Sequence, residues 1–390
     1  MRLAFPLISS SNWTGGYNYL LNLVRALSIH CPDALTPVVF FGEDIGDDEV
    51  EPFSQLRGIE LVRTADLNQA RRMRSLVRAL VFGVDAPLKR LFVQHRIDVV
   101  FEAAQFFGAR LGLPAIAWLP DFQHRHLPRL FSPFARLKRD LGFRAQIGAG
   151  RTVMLSSRDA CGDCERFYPA TRGRTHAVHF AVPPSQPASA GTAREVARGY
   201  GLPQDFFYLP NQFWVHKNHA LVADALALLR EQGQRVVVAA SGNTRDPRAP
   251  EHFAGLGRKI RTLGLQDDFR LLGLIPRAHL GALMQASVAV LNPSLFEGWS
   301  TTVEEARSLG VPLILSDLAV HREQAGTEAV YFDRYSGAAL AAVLSKFRPL
   351  STEQRARGEL QAGDDAQARV KVFAEEFLAL ARRSCQNGST

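Results

Sequence analysis

Two glutamates, Glu297 and Glu305, stand at either end of a predicted strand-to-helix corner. The apolar run Val288–Leu291 predicts a buried strand before them, and Thr301 with Glu304 forms the capping-box pattern that predicts a helix start. A helix N-terminus attracts phosphate through its free N–H groups and its dipole. A carboxylate accepts two hydrogen bonds and therefore suits a pair of neighbouring hydroxyls. The pattern predicts a ligand with hydroxyls at both ends and phosphate between them, which describes a nucleotide sugar.

The residues around these glutamates resemble the donor-site signature of the retaining GT-B glycosyltransferases of family 4, also called group 1. The matching features are a Pro-Ser-x-x-Glu-Gly run containing Glu297 and an Ala-x-x-x-Gly-x-Pro run after Glu305. The resemblance implies that Glu297 contacts the donor hexose and Glu305 the ribose. It assigns donor binding also to the residues between them, which are Gly298, Trp299, Ser300, Thr301 and Thr302. The alternative is that both are ordinary helix-start acids, an explanation that suffices for Glu304.

A second corner of the same half follows another predicted strand and carries Gln212, Lys217 and Asn218. The family has an Arg and a Lys-Asn pair here, with both cations on the donor diphosphate, so the resemblance implies donor binding by this corner. Gln212 stands at the Arg position, and its amide cannot neutralise a diphosphate. A solvent-facing surface lysine is the alternative for Lys217. Leu274 lies where the family holds the nucleobase through backbone atoms.

Two motifs of the first half also follow predicted strands. Gly15 and Gly16 permit close backbone approach at a predicted helix start, which favours a phosphate oxygen, although a plain turn is the alternative. In the resembled family such a loop lines the cleft opposite the donor. Asp121 and His124 follow a later strand, where the family often has His-Asp near the reacting sugar. The resemblance implies that they position the sugar or acceptor, with a loop-structuring role open for Asp121.

Length and composition bound the class of protein. With 390 residues and 46% hydrophobic content, the chain predicts a globular protein of two domains. No apolar stretch approaches the roughly 18 residues of a membrane span, and the first residues read as a strand, not a signal peptide. Cys161 and Cys164 have the spacing of half a zinc site, but no second such pair follows. We expect a reduced, cytoplasmic protein without metal.

The net charge of +8 is concentrated in two segments, about residues 71–96 and 125–151, where arginines outnumber acids. Apolar residues recur there at helical spacing, which is typical of basic amphipathic helices that lie on an anionic membrane. The alternative is a solvated helix face with arginine stems packed on apolar neighbours. Basic surface also suits nucleic acid, but no nucleic-acid-binding motif is present. We expect no nucleic-acid partner.

Strand-like and helical runs alternate along both halves, which predicts α/β domains with parallel sheets. The predicted class is α/β with GT-B architecture, two doubly wound Rossmann-like domains facing across a cleft. The expected boundaries are an N-terminal domain over 1–182, a Pro/Ser/Ala/Gly linker over 183–198, a nucleotide-sugar-binding domain over 199–363, and a helix over 364–390. By resemblance, this helix packs back on the first domain.

The resemblance covers nearly the whole chain and implies a retaining, metal-independent glycosyltransferase. Such an enzyme transfers a sugar from a nucleoside-diphosphate sugar to a hydroxyl of a glycan or lipid-linked acceptor, here in cell-surface polysaccharide synthesis. It needs no cofactor beyond its donor substrate. The candidate catalytic residues are Asp121, His124, Lys217 and Glu297. The alternatives are a nucleotide-sugar epimerase of the same fold, a sugar phosphorylase and a non-catalytic partner subunit.

Overall fold

A computed structural model describes residues 1–103, 105–184 and 187–387. The chain divides into two compact units. The first comprises Met1–Phe122, Pro133–Ala181 and the chain from Ala368 onward, and the second comprises Gln123–Ser132 and Val182–Gln367. The short segment Gln123–Ser132 therefore belongs with the second unit, although the first unit contains its neighbours in sequence on both sides.

The first unit is built on a parallel sheet of seven described strands. In chain order these are β1 (Arg2–Pro6), β2 (Thr36–Phe41), β3 (Glu60–Arg63), β4 (Val99–Ala103), β5 (Ala115–Trp118), β6 (Thr152–Leu155) and β7 (Thr175–Ala177). Their spatial order is β3-β2-β1-β4-β5-β6-β7. The central strands are buried on both faces, as continuous apolar runs in parallel sheets require.

Helices connect these strands and cover the sheet. They are α1 (Ser10–His30), α2 (Asp47–Ser54), α3 (Arg72–Val81), α4 (Ala86–Gln94), α5 (Gln123–His126), α6 (Pro133–Gly148) and α7 (Arg158–Phe167). Of these, the single turn α5 lies in the segment that belongs to the second unit.

The second unit repeats this plan with a parallel sheet of six described strands, in the order β10-β9-β8-β11-β12-β13. The strands are β8 (Phe207–Leu209), β9 (Val238–Ser241), β10 (Phe269–Gly273), β11 (Val290–Asn292), β12 (Leu313–Ser316) and β13 (Ala329–Phe332). The helices are α8 (Ala190–Gly199), α9 (His219–Glu231), α10 (His252–Thr262), α11 (Arg277–Ala286), α12 (Thr301–Ser308), α13 (Ala319–Ala325), α14 (Gly337–Lys346) and α15 (Thr352–Asn387). The predicted class, α/β with two doubly wound Rossmann-like domains, is confirmed.

The strand order reverses beside β1 in the first sheet and beside β8 in the second. β1 lies between β2 and β4, and β8 lies between β9 and β11. In doubly wound sheets the crevice at the carboxyl ends of the strands at such a point receives ligands. The motifs that follow β1, β8 and β11 therefore lie where the fold favours a binding site.

Two boundaries differ from those predicted. The linker expected over 183–198 contains the start of α8, which Ser189 caps by accepting a hydrogen bond from Thr192 N. Ala193 and Ala197 of α8 are buried in the core of the second unit, so alanines that looked aperiodic form a helix face. The last helix, α15, begins twelve residues before the predicted 364. Residues 185–186 of the predicted linker and 388–390 of the predicted helix lie outside the described residues.

The end of α15 packs in the first unit. The Phe377 ring lies 5.8 Å from that of Phe5 and 5.6 Å from that of Phe101. Glu376 accepts a hydrogen bond of 3.0 Å from the backbone N–H of His179. This end of the helix therefore completes the core against β1 and β4.

Candidate functional site

The corner between β11 and α12 has the predicted strand and helix, but a different cap. Ser300 is extended and its Oγ accepts a hydrogen bond from Val303 N, so the cap is Ser300 and α12 begins at Thr301. The predicted capping box of Thr301 and Glu304 is wrong. Gln324 Oε1 accepts a hydrogen bond of 3.2 Å from Ser300 N, the N–H that the acid of a capping box would bind, and Gln324 Nε2 donates to Glu304 Oε1 at 2.9 Å.

Glu297 and Lys217 meet at this corner although 80 residues separate them in sequence. Lys217 Nζ lies 2.6 Å from Glu297 Oε1, and the two side chains are only 12% and 8% exposed. Ser294 Oγ lies 2.7 Å from the same oxygen. The loops themselves are joined, because Leu295 N donates to the carbonyl oxygen of His216 at 2.8 Å. Two of the predicted catalytic residues thus form one ion pair beside the start of α12.

The second glutamate, Glu305, lies one turn inside α12 and is half-buried. Burial raises the pKa of its carboxyl, and the charge of Arg277 opposes this only in part. Within the described part of the chain, no group hydrogen-bonds to this carboxylate. A partly buried carboxylate without protein partners is open to donors from water or a ligand, and a carboxyl pKa raised by burial is typical of functional sites.

The corner after β8 presents Lys217 and Asn218 as predicted by position. Lys217 ends a short 3-10 turn, Val215–Lys217, and Asn218 follows in the left-handed conformation with φ 60°. Asn218 Nδ2 donates to the carbonyl oxygen of Arg334 at 2.9 Å, which fixes the chain as α9 begins. The amide is therefore engaged with the protein, and Lys217 carries the positive charge of this corner.

Two other predicted donor-binding residues hold the corners together. Gln212 Oε1 accepts a hydrogen bond of 2.9 Å from Asn243 N, in the loop after β9. Thr302 Oγ1 donates to Asn211 Oδ1 at 3.0 Å and so joins the start of α12 to the corner after β8. Both side chains thus have structural partners, which sequence motifs do not reveal.

The remaining predicted donor-binding residues of this unit are three that follow Glu297 in sequence, and Leu274. Gly298 and Trp299 are half-buried between Glu297 and the cap, and Thr301 is exposed. Leu274 follows β10 and is 77% exposed, so it is a surface residue in this structure.

His321, which the sequence analysis did not single out, lies close to the ion pair. It is buried on α13, and its Nδ1 lies 2.8 Å from the carbonyl oxygen of Ser316, so Nδ1 carries the proton. Nε2 has no hydrogen-bond partner among the described residues. Burial lowers the pKa of this imidazole, and the nearby Glu297 carboxylate opposes the shift. The sequence could have indicated His321 because it lies in the helix that follows the buried strand β12, as Glu305 lies in the helix that follows β11.

The residues predicted to position sugar or acceptor are separated by the structure. Asp121 lies in the first unit and pairs with Arg139 at 2.8 Å. His124 is fully buried, with its ring 6.3 Å from that of Phe131, so it is not presented to a ligand from solvent. His126, two residues on, is exposed, and its ring lies 5.0 Å from that of Phe296, next to Glu297. The single turn α5 orients the two histidines differently, which sequence proximity alone did not show.

Gly15 and Gly16 lie in α1 just after a break at Trp13, whose backbone is not helical. A Cβ on Gly16 would collide with the Trp13 ring, so this glycine allows the indole to cover the helix. Trp13 stacks on Trp118 of β5, with ring centroids 5.2 Å apart. The glycine pair therefore serves packing in the first unit, and its phosphate role stays a prediction.

The Cys161-x-x-Cys164 pair lies on α7. Burial raises the pKa of the Cys164 thiol to about 11. Across the residues that the structure describes, no group of three or more His, Cys, Asp or Glu side chains is arranged to hold a metal ion.

Sequence comparison finds a family match within the second unit. Residues 201–358 match the model of the family "Glycosyl transferases group 1". EpsF of Bacillus subtilis (strain 168), described as a glycosyltransferase, is 29% identical over 194 residues, which are 48% of this chain and 47% of EpsF. The chain thus spans about half the length of this relative.

Solved structures share the fold of the whole chain. A glycosyltransferase from Rickettsia africae ESF-5 has a TM-score of 0.69 at 14% identity, covering 99% of this chain and 98% of that one. Anabaena Alr3699/HepE, solved with UDP and glucose, has a TM-score of 0.66 at 17% identity, covering 100% and 99%. At these identities the likeness establishes the GT-B fold. Residues 201–358 of this chain are thus similar to the group 1 glycosyltransferases.

Proposed function

We propose that the protein transfers a sugar from a nucleoside-diphosphate sugar to a hydroxyl of a glycan or lipid-linked acceptor, in cell-surface polysaccharide synthesis. The observation that carries this proposal is the ion pair of Lys217 and Glu297 beside the start of α12, with the unpartnered Glu305 carboxylate one turn inside. The match of the same segment to the model of the group 1 glycosyltransferases supports it. The structure of HepE with UDP-glucose supports a nucleotide sugar as the first donor to test.

The parts of this corner suit the parts of such a donor. The Lys217 ammonium and the free N–H groups at the start of α12 offer positive charge to a diphosphate. Glu297 uses Oε1 for Lys217, while its Oε2 accepts no hydrogen bond within the described residues and can receive a hexose hydroxyl. Glu305 can receive the two hydroxyls of the ribose. These roles account for why both carboxylates remain without a full set of protein partners.

In the proposed reaction, the bond between the anomeric carbon and the diphosphate oxygen breaks, and the acceptor oxygen forms a bond to the same face of that carbon. The acceptor proton passes to an oxygen of the leaving phosphate. Negative charge grows on the diphosphate in the transition state, so preorganised positive groups there lower the barrier. The proposal needs no protein nucleophile and no metal ion. Asp121 stays a predicted positioning residue, and the exposed His126 beside Phe296 is a candidate for the role predicted for the buried His124.

A lipid-linked acceptor fits the surface of the first unit. Apolar side chains of α3 and its end are exposed, among them Leu80 at 57% and Phe82 at 65%, with exposed Arg72 and Arg74 on the same helix. On α6, Phe134 is 74% exposed, next to further basic residues. No helix in the described ranges combines the length and apolarity needed to cross a bilayer. Exposed apolar residues beside arginines suit peripheral contact with an anionic membrane.

The direct test supplies purified protein with UDP-, GDP- and ADP-sugars and a lipid-linked glycan extract, with and without EDTA. The proposal predicts sugar transfer that EDTA does not stop, with the anomeric configuration retained in the product by NMR. Glu297→Gln should abolish transfer, while Glu231→Gln, on the exposed end of α9, should not. An epimer formed from donor alone, turnover that requires inorganic phosphate, or donor binding without any transfer would each overturn it.

A further inference from the structure

We propose that Arg248 supplies the second positive charge at the donor diphosphate, a charge that Gln212 cannot supply. Arg248 lies in the loop after β9, outside the sequence motifs of the donor site. This inference rests on the proposed function, because it concerns the same diphosphate that Lys217 would hold.

The loop after β9 is attached to the corner after β8. A Cβ on Gly242 would collide with the carbonyl oxygen of Asn211, so only glycine allows this approach of the two backbones. Asn243 N donates to Gln212 Oε1 at 2.9 Å, and Phe213 N donates to Asn243 O at 3.0 Å. Gln212 therefore anchors the very loop that carries an arginine.

Asp246, buried in this loop, ties Arg248 to the turn that ends in Lys217. Its Oδ2 accepts a hydrogen bond of 3.3 Å from Val215 N, the first residue of that turn. Arg248 Nε lies 3.1 Å from Asp246 Oδ1. Although burial acts to raise it, the pKa of Asp246 is lowered by hydrogen bonds from Arg248. One carboxylate thus fixes the positions of both the turn and the guanidinium.

The Arg248 guanidinium contacts the residue that precedes Lys217. Arg248 Nη2 is 3.4 Å from His216 Nδ1, and His216 immediately precedes Lys217. Burial, together with the charges of Lys217 and Arg248, holds the pKa of His216 well below its usual range, so this imidazole is neutral and accepts the contact. The carbonyl oxygen of His216 also holds the Glu297 loop through Leu295 N. Arg248 therefore belongs to the same cluster as the proposed phosphate site.

Aromatic rings hold the guanidinium plane. Its carbon lies 5.4 Å from the ring centroid of Trp214 and 5.4 Å from that of Phe131. Nη1 lies 2.7 Å from Gln123 Oε1, and the side chain is 26% exposed. An arginine fixed in this way loses little rotamer freedom on binding a ligand, and its planar fork suits phosphate oxygens.

Charge balance explains why a second cation is needed. Lys217 already pairs with Glu297, so a diphosphate there would share its single positive charge with a carboxylate. Arg248 is paired with Asp246, but its side chain remains partly exposed. Hydrogen bonds from a charged donor to phosphate contribute about 1.5–3 kcal/mol, so loss of Arg248 should weaken diphosphate binding roughly 10- to 100-fold.

The experiment measures dissociation constants by calorimetry for UDP, GDP and ADP, and for the matching nucleosides, with the full chain. Arg248→Gln should weaken binding of whichever diphosphate the wild type prefers, and leave the nucleoside unchanged. Arg245→Gln, which removes an exposed arginine from the same loop, is the matched control and should stay within twofold of wild type. Adding Gln212→Arg to Arg248→Gln should restore most of the lost affinity.

Rescue by Gln212→Arg distinguishes the charge of Arg248 from a structural role. If Arg248 only stabilised its loop, an arginine at position 212 would not restore diphosphate binding. Equal losses for nucleoside and diphosphate, or no rescue, would overturn the inference. Diphosphate affinity of Arg248→Gln equal to that of Arg245→Gln would also overturn it, while leaving the proposed function standing. A wild type that binds none of the three diphosphates would instead contradict the proposed function itself.

Discussion

At the residue scale, the proposed donor site contains polar groups without a hydrogen-bond partner among the described residues. Glu305 is half-buried without a hydrogen-bond partner among the described residues, and burial raises the pKa of its carboxyl. Nε2 of His321 is likewise unpartnered there. Most buried polar groups in proteins are hydrogen-bonded. The Glu305 carboxylate is instead left open to the donors of water or of a ligand rich in hydroxyls.

The substitution Glu305→Gln should separate ligand binding from stability. The amide has one acceptor in place of a charged carboxylate, so binding of the donor nucleotide should weaken roughly 10- to 100-fold. Calorimetry with the preferred nucleoside diphosphate measures this, and Glu231→Gln serves as the exposed control. Affinity unchanged within twofold would contradict the ribose role of Glu305.

The same variant should be more stable than the wild type at neutral pH. A carboxyl whose pKa is raised by folding favours the folded state when protonated, so its charged form costs stability as pH rises above the ordinary value of about 4.3. Glu305→Gln removes this cost, and its melting temperature should exceed that of the wild type by a few degrees at pH 7 to 8. The gain should shrink as pH falls toward 5. A variant less stable than wild type at pH 8 would show that the carboxylate has a protein partner in solution.

Single residues also show which parts of the candidate site sequence motifs can and cannot predict. Lys217 and Glu297 were each predicted to bind the donor from their motif positions, and the structure brings their side chains to within 2.6 Å of each other. The pattern could not decide between His124 and His126, because a single helical turn determines which ring is exposed. It could not find Arg248, because the contacts that hold this side chain come from three separate segments of the chain.

At the element scale, the start of α12 decides where the backbone N–H groups point. Ser300, and not Thr301, caps this helix. Ser300→Ala should therefore lower the free energy of unfolding by about 1 kcal/mol, and Thr301→Ala should change it by less than about 0.5 kcal/mol, because Thr301 is exposed in the first turn. Urea unfolding of both variants is the measurement. Equal effects, or a larger effect at Thr301, would place the cap at the residue that the sequence predicted.

Strands were predictable where they are central and continuous in apolar residues. The runs in β4, β5, β9 and β11 stand out in the sequence and are buried. The strands β3, β7 and β13 are edge strands, and they are short and only partly buried. An edge strand takes its conformation from pairing with its neighbour, so its own sequence carries a weak signal.

At the scale of the whole molecule, buried histidines make the second unit sensitive to acid. Burial lowers the pKa of His216, His219 and His321, in the case of His219 to about 3. Below pH 6.5 the unfolded chain binds protons that the folded chain does not, so stability is lost as pH falls from 6.5 toward each lowered pKa. For His219 the loss is about 1.4 kcal/mol per pH unit over this window.

His219→Leu removes this titration while keeping an apolar group in the buried position. Between pH 6.5 and 5.5, the unfolding free energy of the wild type should fall more than that of the variant, by about 1 kcal/mol. Urea titrations at several pH values test this difference in slope, which does not depend on the absolute stability of the variant. Parallel curves for the two proteins would show that His219 titrates normally in the folded state.

The surface of the first unit predicts binding to anionic membranes. Wild-type protein should sediment with phosphatidylglycerol vesicles and not with phosphatidylcholine vesicles, and less so at high salt. Leu80→Ser with Phe82→Ser should reduce binding several-fold. Leu360→Ser, which changes a residue 78% exposed on α15, should not. Equal binding by all three proteins, or none by the wild type, would contradict the membrane role.

The two-domain plan was predictable because alternating strands and helices leave few arrangements for a parallel sheet. The limits of the domains were harder to predict from the sequence. The alanines of α8 look like a linker until Ala193 and Ala197 meet the core, and Gln123–Ser132 joins the second unit only through contacts distant in sequence. Such contacts depend on the assembled structure and not on local pattern.

The most direct test of the account is a crystal structure of the protein with the nucleotide sugar that most raises its melting temperature. The account predicts the diphosphate at the start of α12 within hydrogen-bond distance of Lys217, the hexose at Glu297 and the ribose hydroxyls at Glu305. A ligand bound elsewhere on the chain, or bound at α12 without contact to either glutamate, would contradict it.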